Sequence, residues 1–330
     1  MTTLGADLEV HVVSIPMRVP FRGVTHREAL LLEGPAGWGE FAPFLEYDDP
    51  EAARWLAAAV EAATLGWPAP RRSSVPVNAT VPAVPAEQVA DVLARFPGCT
   101  TAKVKVAQAG QALRDDVDRV AAVRDQLGQE GRVRVDANGA WSVAEATAAL
   151  RTLSRFDLEY AEQPCASLDE LARLRRSLAA QGVEVLIAAD ESVRKAEDPM
   201  RVAVAGAADL VVLKVAPLGG VARALEVATA CGLPVVVSSA LDTSVGISAG
   251  VALAAALTDL PYACGLATTS LMAADVVRDS LDGHGGSITV GRVVPEAGLL
   301  EELKASPERE RWWRERLTRC AALGAGGSSA

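Results

Sequence analysis

The sequence predicts an α/β barrel of the (β/α)7β, TIM-like type, carrying an α+β capping domain formed from the N- and C-terminal segments. Three observations lead there. From Val75 onward, short β-branched runs alternate with Ala/Leu-rich amphipathic segments, which implies parallel strands joined by helical crossovers. The strand candidates number seven or eight and are nearly continuous in Val, Ile, Leu and Ala, as expected of strands covered on both faces. No GxGxxG follows the first strand, which weakens a dinucleotide-binding open sheet.

The barrel strands are predicted at Val75–Ala79, Thr101–Ala107, Arg132–Ala137, Phe156–Glu162, Val183–Asp190, Leu210–Val215 and Pro234–Ser239, with a weak eighth at Cys264–Ala267. Helices between them carry start signals. Ser142 with Glu145, and Ser167 with Glu170, match the capping box. In 111–127, Leu113, Val117, Val120, Val123 and Leu127 fall near one helical face. Residues 1–75 lack this rhythm: Leu8–Ile15, Glu28–Glu33 and the turn-rich GPAGWGEFAPF read as antiparallel strands, followed by an Ala-rich helix from Pro50 to Ala63. The tail offers a short strand at Ser287–Val290 and a helix opened by Ser306 and Pro307, then GAGGSSA, which reads as disordered. The predicted division is 1–75 plus 285–330 for the cap and 76–284 for the barrel.

Composition narrows the function. A formal charge of −10 over 330 residues argues against a sequence-independent nucleic-acid binder. The five cysteines are scattered without a CxxC, and the three histidines give no zinc spacing, so a reduced chain is expected. No basic region precedes an apolar core at the N-terminus, and the most apolar run, Val245–Leu257, is too short to span a bilayer. A cytoplasmic protein with no membrane partner is expected; monomer and homo-oligomer both stay open.

The chemistry lies where strands end, the active face of such barrels. TAKVKVA places Lys103 and Lys105 on one face of the second strand. RVRVDANG offers Arg134, Asp136 and Asn138, YAEQP offers Glu162, AADES offers Asp190 and Glu191, LKVAP offers Lys214, and VVSSALDTS offers Ser238 and Ser239. Lys105, Asp136, Glu162, Asp190 and Lys214 follow one another at intervals of 31, 26, 28 and 24 residues, each about one βα unit. Any one of these residues alone reads more simply as a cap, a turn former or a surface charge. Together they place three carboxylates on adjacent strands, which repel one another unless a cation neutralises them. All-oxygen ligation suits a hard metal, Mg²⁺ before Mn²⁺ or Ca²⁺. Lys105 and Lys214, four strands apart in an eight-membered ring, would face each other across the mouth. Such a pair suits proton abstraction next to a substrate carboxylate, with Lys103 lowering the proton affinity of Lys105.

KVK at 103–105, VDANGAW at 135–141, EQP at 162–164, ADES at 189–192 and LKVAPLGG at 213–220 resemble the enolase superfamily, muconate lactonizing branch, and GWGEFAP at 37–43 resembles its capping-domain loop. Use of a Lys or His base with Mg²⁺ is a general property of that superfamily. The short length, Arg134-x-Asp136 and SSALDTSVG narrow the resemblance to members that dehydrate a succinyl-hydroxycyclohexadiene carboxylate to an aromatic product in menaquinone biosynthesis. The resemblance implies that Lys105 removes the proton and then protonates the departing hydroxide, while Lys214 stays charged and stabilises the enediolate. It also implies Mg²⁺ on Asp136, Glu162 and Asp190, with Asn138 and Glu191 nearby. Loops around Phe21, Arg22 and Gly23 and around Trp38–Ala42 would close over the small-molecule carboxylate. The two-lysine arrangement is shared with racemases of N-succinylamino acids, the alternative activity. A catalytically silent binding barrel is the reading from another class, and the intact ligand set argues against it.

Overall fold

The computed structural model describes residues 8–21, 23–194 and 206–326. Strands β1 (Glu9–Phe21), β2 (Val24–Gly34) and β3 (Gly37–Phe41) form one antiparallel sheet in that order. β1 and β2 run on to a tip where Phe21 pairs with Val24, so both extend well past the predicted Leu8–Ile15 and Glu28–Glu33. Helix α1 (Asp49–Thr64) follows, with Asp48 accepting from the Glu51 amide at 2.9 Å and Pro50 in the first turn.

The alanines of α1 let it approach the sheet closely. A Cβ built on Gly39 of β3 would lie 2.0 Å from the Ala59 carbonyl oxygen, and that obstacle is backbone. Gly39→Ala is therefore expected to destabilise the protein by about 3 kcal/mol, the upper end for overpacking. A thermal or urea midpoint equal to wild type would refute this.

Strand β4 (Ser74–Pro76) pairs antiparallel with the short strand Ser287–Thr289. β5 (Ala79–Val81) opens the barrel sheet. The predicted single strand Val75–Ala79 is thus two strands with different partners, and the change falls at Val77–Asn78. β6 (Thr101–Lys105), β7 (Arg132–Asp136), β8 (Leu158–Glu162), β9 (Ile187–Ala189), β10 (Leu210–Leu213) and β11 (Val235–Val237) follow in parallel, in the spatial order β11-β10-β9-β8-β7-β6-β5. Parallel bridges from Val77 to Cys264 and from Ser238 to Gly265 close the ring, so the weak eighth strand contributes only isolated pairs.

Among the described residues, the longer crossover helices are α2 (Leu113–Leu127), α3 (Val143–Leu153), α4 (Leu168–Ala180) and α5 (Val221–Cys231), the β5–β6 connection holds the short helix Val89–Leu93, and α6 (Ser244–Ala256) follows β11. Both predicted capping boxes form: the Ser142 amide donates to Glu145 at 2.8 Å and the Ser167 amide to Glu170 at 3.0 Å. Leu113 departs from the predicted buried face of α2 and is exposed, because it begins the helix, whereas Val120 and Val123 are buried. α6, which carries nearly all of the apolar run Val245–Leu257, is buried almost all round.

The last helix, α7 (Pro307–Gly326), starts where Ser306 and Pro307 predicted and continues through Gly324, so only 327–330 of the predicted disordered tail lie outside the described residues. Trp313 of α7 is buried edge-on against Phe41 at 5.8 Å and donates its indole N–H to Glu28 at 2.8 Å. All five cysteines are free thiols. No described helix is long and apolar enough to cross a membrane.

Candidate active site

Period-two alternation points Lys103 and Lys105 of β6 into the barrel, while Ala102 and Val104 pack outward under the helices. Register then sets the neighbours: Lys105 lies opposite Asp136 and Asp136 opposite Glu162, so the strand ends form a diagonal row. Asp190 follows β9 directly and Lys214 follows β10. Lys103 Nζ donates to both oxygens of Glu162 at 2.9 and 3.0 Å and stands 3.4 Å from Asp136. Lys105 Nζ is bonded to Asp136 and to Asn138 Oδ1, the latter at 2.7 Å. Lys214 Nζ donates to Asp190 at 2.5 Å.

The backbone at this face is unusual. Ala107, Asn138, Gln163 and Leu241, all with positive φ, lie just beyond the ends of β6, β7, β8 and β11. Non-glycine residues take this conformation at a cost, and it re-aims the chain at the mouth. Asn138 uses it to span the site: its Nδ2 donates to Glu191 at 3.2 Å while its Oδ1 receives Lys105. Gln163 fixes the next loop, with its Oε1 accepting from the Asp190 amide at 2.9 Å and the Ser192 amide at 3.2 Å. That clamp sets where the Asp190 carboxylate points. The EQP motif carried the signal for Gln163, but its part-backbone role is visible only in three dimensions.

Electrostatics follow from burial. Asp136, Glu162 and Asp190 are each 1 % exposed. Burial raises the Glu162 carboxyl, and repulsion from Asp136 and Asp190 adds to it, so it titrates at about 7 despite Lys103. Burial depresses Lys103, but Glu162 and Asp136 outweigh it and hold the ammonium charged. The two partners thus differ: Lys103 gains from the pair, whereas Glu162 still carries unrelieved repulsion from two other carboxylates. Asp136 resists burial because Lys105 and Lys103 hold it well below the usual carboxylate range. Lys105 is lowered, first by burial, against the pull of Asp136 and with Lys103 adding to the depression.

These features fit a divalent cation. The donors are carboxylates on three successive strands, and Glu162 retains repulsion that its lysine does not relieve. The three are not gathered within 4.8 Å of one another as a set; each instead meets a lysine. Among the described residues, the group that is gathered that closely is Glu9, His11 and Glu33, partly exposed on the cap sheet at the end opposite the β1–β2 tip. The absence of zinc spacing among the histidines did not anticipate it.

One cavity is lined by Lys103, Lys105, Asp136, Asn138, Lys214, Ser238 and Ser239 together with Thr80, Thr268, Ala240 and Leu241. Ser239 Oγ and Thr268 Oγ1 are 2.6 Å apart, and Ser238 Oγ reaches the Gly265 carbonyl at 3.4 Å. Its cap side is an aromatic wall of Phe44, Tyr47 and Trp55, which the sequence reading missed. Gly23, at the β1–β2 tip, lines a neighbouring cleft shared with Lys105 and Asn138. Phe21 ends β1 beside it, and Arg22 lies outside the described residues.

Two expectations are corrected. Trp38–Ala42 is no closing loop: Gly37–Phe41 is β3, paired with β2, and both Trp38 and Ala42 are buried. The segment that reaches the cavity is the next one, Phe44 to Tyr47. Arg134 neither lines the cavity nor touches the carboxylate row. Its guanidinium donates to Glu159 at 2.5 Å, Asn78 at 3.0 Å and the Ala263 carbonyl at 2.7 Å, and stacks on Tyr160 at 4.7 Å. It shares a face with Asp136 but sits one layer deeper, where it fills the barrel interior.

A capped barrel with a buried carboxylate row and flanking lysines defines a class, and the chain belongs to the enolase superfamily. Models described as Enolase C-terminal domain-like and Enolase N-terminal domain-like match residues 86–305 and 12–63. Members of that superfamily bind a divalent metal. The chain is 59 % identical over 309 residues to an o-succinylbenzoate synthase of Thermobifida fusca (strain YX), covering 94 % of this chain and 95 % of that one. It is 55 % identical over 316 residues to an o-succinylbenzoate synthase of Mycobacterium marinum (strain ATCC BAA-535 / M), covering 95 % and 94 %. In fold it is similar to 2-chloromuconate cycloisomerase from Rhodococcus opacus 1CP, with a TM-score of 0.76 at 24 % identity over 91 % of this chain and 99 % of that one.

Proposed function

We propose that this protein is an o-succinylbenzoate synthase, a lyase that eliminates water from a succinyl-hydroxycyclohexadiene carboxylate to give succinylbenzoate for menaquinone synthesis. The observation that carries it is the placement of Lys105 and Lys214 on one cavity, four strands apart in the ring, with the carboxylate row between them. The named relatives of more than half identity supply the substrate class. The barrel, taken as 76–284, carries the chemistry, and 1–75 with 285–330 form the cap, in a cytoplasmic enzyme.

Asp136, Glu162 and Asp190 would hold a divalent cation, Mg²⁺ or in its place Mn²⁺. When bound, it supplies Lewis-acid stabilisation to the carboxylate next to the acidic proton. Lys105 takes that proton from carbon in its neutral form, which its depressed proton affinity favours. The electron pair left behind forms the ring double bond as the carbon–oxygen bond breaks, and Lys105, now an ammonium, returns the proton to the departing hydroxide as water. Lys214 faces the developing negative charge from the opposite side. Asn138 keeps the Lys105 amine aimed into the cavity.

Incubation with the cyclohexadiene substrate and Mg²⁺ in D₂O tests the reading. Loss of diene absorbance, with no deuterium entering N-succinylamino acids, is the expected result. Deuterium in both enantiomers of an N-succinylamino acid without dehydration would make the protein a racemase instead. Turnover of neither, by folded and metal-loaded protein, would leave a binding barrel.

A further inference from the structure

We propose that Arg27, from the cap, is a positioning residue that fixes the Ala240–Leu241 turn and Phe44, and so sets the shape of the substrate-facing wall. The inference rests on the function proposed above and concerns a residue outside the carboxylate row, on the cap sheet. Arg27 lies on β2 and is 3 % exposed. Its Nε donates to the Leu241 carbonyl at 2.9 Å, and its Nη2 donates to the carbonyls of Ala42 and, at 3.3 Å, of Ala240. The guanidinium carbon stands 4.8 Å from the centre of the Phe44 ring. Ala240, Leu241 and Phe44 all line the cavity that holds Lys105 and Lys214.

The turn needs such a hold. Leu241 has φ of 62°, a left-handed conformation that a branched side chain adopts only when its surroundings impose it. A second cap residue grips the same segment from its amide side. Glu40 of β3 accepts from Thr243 Oγ1 at 2.6 Å and from the amides of Thr243 and Gly246 at 3.1 and 3.0 Å. A Cβ on Gly246 would lie 2.6 Å from the Asp242 Cβ and 2.9 Å from Glu40 Oε2, so the approach depends on a glycine there. Asp242 accepts from the Ala240 amide at 3.0 Å, and it faces the buried guanidinium together with Glu40, whose carboxyl burial and the neighbouring Asp242 push up to about 8, so the two carboxyls share the charge that Arg27 meets. Carbonyls held by Arg27 and amides held by Glu40 make the barrel's seventh loop an extension of the cap sheet. A planar five-donor group is suited to three carbonyls on two segments, which an ammonium cannot match in one geometry.

Arg27→Lys and Arg27→Met test this against Arg124→Lys. Arg124 is buried too and donates to the carbonyls of Gly128, Gly131, Phe156 and Asp157 at the opposite end of the barrel, so its loss reports structural damage alone. Both Arg27 variants should raise KM for the cyclohexadiene substrate at least about 10-fold while kcat changes less than about 3-fold, the mark of lost ground-state positioning. Divalent-metal titration should be unchanged, the lysine variant should be the milder, and Arg124→Lys should leave KM alone. An unchanged KM in a folded Arg27 variant, or an equal KM shift in Arg124→Lys, overturns the proposal.

Hydrogen exchange on the wild-type protein supplies a second arm should the Arg27 variants not fold. The amides of Ala240 and Thr243 should exchange as slowly as those of the barrel strands without substrate, and exchange at the rate of open loops overturns the claim. If the wild type fails to dehydrate the substrate, the functional reading falls, while the exchange result still decides whether the turn is held.

Discussion

Lys105→Ala is expected to lower the dehydration rate by at least about 10³-fold, the scale on which a positioned general base contributes. The variant should still bind divalent metal, with unchanged or tighter affinity, because an ammonium touching Asp136 is removed from beside a ligand. Lys105→Arg separates base from charge. Guanidinium keeps the positive charge but cannot give up its proton, so this variant should be as inactive as the alanine one. Single-turnover absorbance of the diene, with metal titration on the same samples, checks both. A rate within 10-fold of wild type for either variant would remove Lys105 from the role of base.

The second large effect concerns Glu162. It holds Lys103 through both oxygens, yet it titrates at about 7 because burial and two neighbouring carboxylates press on it. A divalent cation relieves that repulsion, so Glu162 gains more from metal than an unstrained carboxylate would. Glu162→Gln should weaken divalent-metal binding by at least about 100-fold, since changes even to groups behind the ligands cost 10–100-fold. The variant should also lose proton release on binding, because a carboxyl that titrates near neutrality releases its proton to the buffer as the cation displaces it, and an amide has none to release. Calorimetric titration in two buffers of different ionisation enthalpy measures both. Wild-type affinity with wild-type proton release would exclude Glu162 from the ligand set.

Much of the site was readable along the chain because the barrel repeats. One strand, one helix and two loops occupy about the same number of residues each time, so residues that end successive strands recur at nearly equal intervals. Lys105, Asp136, Glu162, Asp190 and Lys214 obey that spacing, and the structure sets them along one rim. Arg134 obeys the strand's period too, so spacing alone groups it with Asp136. Period assigns a face, however, and not a depth, and the layer below the rim belongs to the packed interior.

The misplaced first strand has a related cause. In SVPVNATV the valines at 75, 77 and 81 keep a period of two straight across the break, and that period does not register that Val75 pairs with Ile288 whereas Ala79 pairs with Ala102. Phe44, Tyr47 and Trp55 escaped for another reason. No interval relates them to the strand ends, and an aromatic followed by a capped helix reads as ordinary core.

Local periodicity and a repeat of fixed length are enough to locate the barrel, its crossover helices, the carboxylate row and the two lysines along the chain. Which lysine meets which carboxylate, how deep Arg134 lies, and that the cap builds the far wall of the cavity emerge only once the chain is folded. Those depend on strand register and on contacts between segments more than 200 residues apart, such as Arg27 with Leu241. Neither quantity leaves a period in the chain.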